Sequence, residues 1–367
     1  MSTIRSFIHR EPVLLIAALA AAVSCFFVPP DAQYSGYIDF RTLALLYCLM
    51  TVVAGLRKAG LFSHLAHTLC LKVGSVRSMG TLLVALCFFS SLLITNDVAL
   101  LTFVPFAVVV LGMADRRDAL IRIVVLQTVA ANLGSMLTPV GNPQNLYLYS
   151  YYDLSPAAFF SATFPVWTLS LLLISLCCLS LSTDRLDVFL GEEPGMDMRG
   201  VVLHGALFAV CLLVVLRVIS WPIMLSIVVA VLLVLDRKLL VKADFMLLLT
   251  FVAFFIFAGN LARVEAVDAT LRRMLGGREY WTSLLFSQVI SNVPAALLLS
   301  GFTDRARELL LGVNIGGLGT PIASLASLIG MKLYAHSESA RPLRFLAEFS
   351  FANILLLLIL SFARLII

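Results

Sequence analysis

Asn132-Leu-Gly-Ser-Met-Leu-Thr-Pro-Val140 returns in the second half of the chain as Asn314-Ile-Gly-Gly-Leu-Gly-Thr-Pro-Ile322. Asn, Gly, Thr and Pro fall in step, and both copies sit inside long apolar runs. Gly and Pro at matching places in two hydrophobic segments break both helices. Paired breaks are the sequence mark of a solute site built from discontinuous membrane helices. The expectation is a chain that moves a small solute.

Composition carries the same reading. Of 367 residues, 61% are hydrophobic and 13% charged, and the mean hydropathy is +1.02. Soluble domains are roughly half apolar and a quarter charged. Runs at 12–28, 156–181, 201–219 and 345–365 reach the roughly 20 residues that cross a hydrocarbon layer. The expected fold class is an all-α polytopic membrane protein. Arg5, His9 and Arg10 precede the first run, with Ala20, Ala21, Ala22 and Ser24 near its end. That arrangement could open a secretory signal peptide; a retained first helix is the preferred reading. The cysteines Cys25, Cys48, Cys70, Cys87, Cys177, Cys178 and Cys211 form no CxxC and have no His at metal spacing, so they are expected to pack in the interior.

The formal net charge of +5 is spread unevenly. Basic residues bunch at Arg57, Lys58, Lys72 and Arg77, at Arg116, Arg117 and Arg122, at Arg237, Lys238 and Lys242, and at Lys332, Arg341 and Arg344. Loops of this kind face the cytoplasm, which also places the amino terminus there. Segment 146–156, with Tyr147, Tyr149, Tyr151 and Tyr152, reads as an aromatic belt at the opposite interface. Loop 182–200, with Asp184, Asp187, Glu192, Glu193 and Asp197, reads as a solvated linker. It divides a first half (1–181, with repeat one at 39–181) from a second (201–367, with repeat two from 244).

The repeat extends beyond the opening motif. Asp39-Phe40 and Asp244-Phe245 each start an apolar helix that runs into Gly55 or Gly259 and then an Arg. Hairpins at 79–113 and 280–302 are interrupted at Thr95-Asn96-Asp97 and at Ser291-Asn292-Val293-Pro294. Counting spans from the basic loops puts Asp39 outside and Asp244 inside, so the halves are expected to have inverted topology. Each would hold a re-entrant helical hairpin and a discontinuous transmembrane helix. Arg263, Arg272, Arg273 and Arg278 then lie outside, against the charge rule.

Unpaired backbone groups cost several kcal/mol in hydrocarbon, so non-helical chain at membrane depth must line a protected cavity. Helix N-termini meeting there favour an anion, and carbonyl ends favour a small cation. In the loop 138–145, Asn142, Gln144 and Asn145 can donate to a carboxylate or offer carbonyl oxygens to sodium, while Gly141 admits close approach to the backbone. The competing reading is a helix terminus whose amides close only their own backbone. The partner loop aligns Ser324 with Asn142 and Ser327 with Asn145; with Thr320 and Gly319, these could instead bond back to their own helix. Asp97, costing at least about 2.5–3.5 kcal/mol on insertion scales, needs sodium, a proton or backbone amides as partner. Capping the helix that follows would also explain it. Glu348, Arg217 and Glu265 are expected in local pairs or snorkelling. His64 and His67 fall on an amphipathic connector. No metal-protease, nucleophile-elbow or Walker sequence is present, which leaves no enzyme chemistry to assign.

These residues resemble the ion transporter superfamily, which includes divalent anion/sodium symporters, citrate transporters, arsenite permeases and certain sodium/proton antiporters. Its sodium-coupled carboxylate branch carries Ser-Asn-Thr at each hairpin tip. Here the triplets are Thr95-Asn96-Asp97 and Ser291-Asn292-Val293, and only Asn is kept in both. The resemblance implies sodium and carboxylate binding at Asn96, Gly141, Asn142, Asn292 and Thr320; Asp97 in place of Thr and Val293 depart from its pattern. Joined to the loop reading above, the expected anion site is Asn96, Asn142, Asn145, Asn292, Ser324 and Thr320, and the expected cation site is Asp97, Asn96, Gly141 and Asn292, with sodium as coupling ion and no other cofactor. The resemblance further implies a homodimer with an elevator-like motion; the expected location is a bacterial inner membrane, with no nucleic-acid partner. The function expected is secondary active transport of a small anion, an organic carboxylate, coupled to sodium or protons. The alternative is an arsenite-type or sodium/proton antiporter with Asp97 as exchanger.

Overall fold

A computed structural model describes residues 12–114, 116–186, 194–337 and 340–365. The chain is 78% helix, with no strand among the described residues. The first half contains α1 (Pro12–Phe27), α2 (Phe40–Lys58), α3 (Leu61–Cys70), α4 (Val76–Ser90), α5 (Asn96–Met113), α6 (Arg117–Gly134), α7 (Pro143–Tyr151) and α8 (Pro156–Cys178). After α9 (Met198–Val215) and α10 (Trp221–Leu235), one order recurs: α11 (Phe245–Ala262), α12 (Glu265–Leu275), α13 (Glu279–Ile290), α14 (Asn292–Leu299), α15 (Ala306–Ile315), α16 (Leu325–Ala335) and α17 (Pro342–Ala363). Helices α2 and α11 start alike, the Asp39 carboxylate accepting from the Thr42 amide at 3.0 Å and Asp244 from Leu247 at 2.9 Å.

Among the described residues, seven helical stretches are long and apolar enough to cross a membrane: α2, α5, α6 with the turn after it, α8, α9, α11 and α17. The hairpin arms α4, α13 and α14 and the segments α7, α15 and α16 have only 8 to 15 residues. At 1.5 Å per residue they reach roughly 12–22 Å, short of the roughly 30 Å of hydrocarbon.

Two ion pairs fix the relative sense of the halves. Lys58, at the end of α2, pairs with Asp236 ahead of α11; Arg263, after α11, pairs with Asp31 ahead of α2 at 2.8 Å. Helices α2 and α11 therefore run in opposite directions. Their neighbours are exchanged in the same manner, α1 packing along α11 and α10 along α2. Helix α16 packs on hairpin arm α5 of the first half, and α7 on α14 of the second.

Several local expectations change. The first hairpin breaks over residues 91–95 and the second at Ser291 alone, with φ +75°. Asn96, Asp97 and Asn292 stand in the first helical turns, where Asn96 Oδ1 accepts from the Asp97 amide and Asn292 Oδ1 from that of Val293, both at 2.9 Å. Asp97 is not the cap of α5; Thr95 holds that position. The tyrosines of α7 are a packing seam more than a belt. Tyr147 and Tyr149 are buried, donating to or sharing a proton with the Val215 carbonyl (2.8 Å) and the Ser300 hydroxyl (2.7 Å), respectively Tyr149 and Tyr147. Tyr152 donates to the Ser300 and Thr303 carbonyls. Buried phenols need such partners, and only Tyr151 of α7 stays half exposed.

Arg5, His9 and Arg10, and Asp187, Glu192 and Glu193 of the linker, lie outside the described residues. The linker's ends are docked: Val76 donates to the Asp184 carbonyl, Leu186 to Gly74 and Asp197 to Ala59. Cys25 and Cys177 are half-buried, the other five cysteines buried, and all are free thiols. Glu348 pairs with Arg344 at 3.0 Å, and Arg217 with Asp153 at 2.8 Å. His67, on α3, is buried, and no cluster suited to a metal occurs among the described residues.

Candidate functional site

The repeated motif decodes into contacts that hold each hairpin tip onto the break of its own half. The Asn96 amide donates to the Gly141 carbonyl at 3.2 Å, and the Asn292 amide to Ala323 at 2.9 Å. The Thr138 hydroxyl donates to the Leu92 carbonyl, and the Thr320 hydroxyl to Gln288 at 3.0 Å. The motif glycines permit this closeness. A Cβ on Gly134 would lie 2.1 Å from the Phe88 carbonyl oxygen, and one on Gly316 would lie 3.0 Å from Leu284 Cα. Proline then ends each run, since it can donate no amide.

The motif asparagines tie the halves to each other. Asn132, 3% exposed, accepts through Oδ1 from Asn96 Nδ2 at 3.2 Å and from Ser324 Oγ at 2.8 Å. Its Nδ2 lies 3.5 Å from both the Gly317 carbonyl and Ser327 Oγ. Asn314 answers from the other side, donating to Asn145 Oδ1 at 2.7 Å. One amide thus joins the first hairpin to the second break.

These contacts surround a cavity of about 130 Å³. Asn96, Asp97, Asn142, Gln144, Asn292 and Ser324 line it, together with the exposed Asp244 and Lys332. The N-termini of α5, α7, α14 and α16 all reach its wall, with Asn142 and Ser324 as caps of α7 and α16. Four such termini bring partial positive charge to one place. Asp97 Oδ1, Asn142 Oδ1 and Gln144 Nε2 are buried without a protein partner. Buried polar atoms are almost always hydrogen-bonded, so this wall is built to receive something.

A model of the citrate transporter family matches residues 3–306. The chain belongs to the citrate transporter family. It is 31% identical over 316 residues to inner membrane protein YbiR of Escherichia coli, covering 84% of each chain. An uncharacterized transporter of Methanocaldococcus jannaschii is 29% identical over 298 residues, 81% of each. A silicon efflux transporter of Oryza sativa is 31% identical over 159 residues, 43% of this chain and 32% of that protein. As a member of the family, the chain is an integral membrane transporter of the ion transporter type.

Within this citrate transporter family protein, Asn96, Asp97, Asn142, Asn292 and Ser324 come together on the cavity wall. Three other residues expected there are not part of it. Asn145 Nδ2 serves the carbonyls of Ser135, Met136 and Thr138 at 3.3, 3.4 and 3.3 Å, and its Oδ1 is taken by Asn314. Thr320 is spent on Gln288, its amide meeting Oε1 at 2.9 Å. The room left by Gly141 is filled by chain: a Cβ would lie 2.2 Å from the Ser135 oxygen and 2.8 Å from that of Ser91. Sequence reasoning gave no site role to Asn132, Asp244 or Lys332. An amide in an otherwise apolar helix needs a partner, and that signal could have singled out Asn132. In the sequence Asp244 marks only the start of a helix, and Lys332 only a basic loop.

Proposed function

We propose that the chain is a secondary active transporter of a small anion, an organic carboxylate, with sodium or a proton as coupling ion at Asp97. The carrying observation is that a carboxylate with an unpartnered oxygen and four helix N-termini share one cavity. Two carboxylates there, Asp97 and Asp244, face one ammonium, Lys332. The empty cavity therefore resists an anion. A cation on Asp97 balances the side-chain charges and leaves the helix-end amides to favour the anion. Binding of one then promotes binding of the other, which is the thermodynamic content of symport. The opposite senses of α2 and α11, and hairpin arms α13 and α14 too short to span the layer alone, support two inverted repeats with re-entrant hairpins. By resemblance the assembly is a homodimer.

The excess carboxylate also favours a second reading, antiport, in which Asp97 exchanges a proton or cation for the solute; the silicon efflux relative is consistent with outward transport. Thermal unfolding of the purified protein with sodium, lithium, citrate, succinate, sulfate and arsenite separates the two. A ligand at one hundred times its Kd stabilises by about 2.7 kcal/mol. Symport predicts that one carboxylate stabilises the protein only when the cation is present. Antiport predicts that cation and solute oppose each other. At about 4 Å and an effective dielectric of 20, a charge pair is worth about 4 kcal/mol, so Asp97→Asn should weaken the cation by up to about 10³-fold. Unchanged cation response in that variant would remove Asp97 from the proposal.

A further inference from the structure

On the face away from the Lys58–Asp236 pair, α8, α15 and the end of α17 enclose a second polar feature that the solute cavity does not use. Two hollows of about 120 and 320 Å³ share Arg307 and Ala162 and so adjoin. The smaller is charged, with Glu308 and Arg364 beside Arg307. The larger is apolar, walled by Leu154, Ala158 and Leu310, with Ser161 at its side.

The charges are not balanced. Glu308 is committed to Arg364, whose guanidinium also lies 4.1 Å from the centre of the Tyr280 ring, and Tyr280 is held to Ser361 at 2.8 Å. Arg305 has its own carboxylate, Glu279, at 3.6 Å. Arg307 is exposed and takes part in no ion pair or hydrogen bond among the described residues. The double hollow therefore has one guanidinium in excess, placed where a charged compartment meets an apolar one. Ala158 and Ala162 lie in the first two turns of the membrane-spanning helix α8, close to where headgroups give way to acyl chains.

We propose that this groove seats one phospholipid, its phosphate on Arg307 and the start of an acyl chain along Leu154, Ala158, Ala162 and Leu310. A phosphodiester carries the single negative charge that Arg307 lacks, and the planar guanidinium suits two phosphate oxygens. The apolar compartment favours a lipid over free phosphate, because only the lipid removes apolar surface from water. Seated there, the lipid would brace peripheral span α8 against α15, the helix that carries Asn314.

Native mass spectrometry of the full-length protein, stripped of lipid in detergent and then given phosphatidylglycerol, phosphatidylcholine, diacylglycerol or inorganic phosphate, tests this. One molecule of either phospholipid should be retained per chain, and diacylglycerol should not. Inorganic phosphate should fail to displace the phospholipid. Arg307→Gln should weaken retention about tenfold or more, from loss of a charge-assisted bond. Arg307→Lys should retain part of it, and Arg305→Gln should leave it unchanged. Thermal stabilisation by ligands of the solute cavity should be the same in all three variants, so that failure here and failure of the transport reading are separately visible. Equal retention by Arg307→Gln, equal binding of diacylglycerol, or displacement by inorganic phosphate would each overturn the proposal.

Discussion

Truncating Asn132 to Ala should destabilise the protein more than truncating its repeat partner Asn314, although both are buried amides at equivalent places. Asn132 Oδ1 is the acceptor for two donors, Asn96 Nδ2 and Ser324 Oγ. Both donor residues are buried, Asn96 at 4% exposure and Ser324 at 1%. Removing the acceptor orphans both. Each buried orphan costs about 1–3 kcal/mol, so the ceiling is roughly 6; water entering from the adjoining cavity brings the expectation to about 2–4 kcal/mol. Asn314→Ala removes one inter-residue contact, the 2.7 Å bond to Asn145, and a bond within its own helix, while the Asn314 oxygen has no partner to lose. That change should cost about 1 kcal/mol. Chemical and thermal unfolding of both variants in detergent, without added ligand, reads the order directly. Equal losses, or a larger loss for Asn314→Ala, would show that Asn132 does not join the two halves as described.

Gly141→Ala should be strongly destabilising, by about 1–3 kcal/mol, because the added methyl meets two backbone oxygens that no rotamer change can move. Ala323→Gly, the reverse change at the matching position of the second half, should cost no more than about 1 kcal/mol; comparing the two melting curves checks the pair. The hydrogen bond from Arg263 holds the Asp31 carboxyl below the usual carboxylate range. A lowered folded-state pKa means that the contact stabilises above the unfolded value of about 3.9 and is lost as pH falls through the folded value. The melting difference between wild type and Asp31→Asn should therefore be present at neutral pH and shrink below about pH 4, and a difference that grows on acidification would contradict it.

Much of the architecture was legible because its signals are local. Asp39 and Asp244 cap their helices through their own side chains, and the paired Gly and Thr-Pro of the repeated motif mark the two breaks, although Pro105 and Pro165 stay inside α5 and α8. The paired Asn-x-Gly…Thr-Pro pattern was legible as a repeat, yet the task of each residue was not. Asn142 and Asn145 belong to one loop and one residue type. Only the folded chain shows that Asn145 faces three carbonyls of the preceding turn while Asn142 keeps an oxygen free on the cavity wall. Thr320 is likewise spent on protein, since its hydroxyl donates to the Gln288 carbonyl near the end of hairpin arm α13 of its own half. The tyrosines of α7 misled for a related reason. An aromatic cluster without charges suits an interface or a hydroxyl-bonded seam, and the deciding partners, Ser300 and Val215, lie far along the chain.

The two halves match in plan and differ in what they leave unsatisfied. Gly141, Asn142 and Asp97 of the first half stand where the second has Ala323, Ser324 and Val293. The second-half set has its partners: Ser324 donates to Asn132 of the first half, the Ala323 carbonyl receives the Asn292 amide, and Val293 offers no polar side chain. On the cavity wall the unpartnered oxygens and nitrogen belong to Asp97, Asn142 and Gln144, all of the first half. A duplicated scaffold with equal halves would offer two equivalent cation positions. This one concentrates its unmet hydrogen-bonding capacity, and its one carboxylate at a hairpin tip, on a single side. The polar exchange in repeat two removes a demand for a ligand there, whereas the same loss in repeat one, by Asp97→Asn or by truncating Asn142, removes groups that have nothing else to bind.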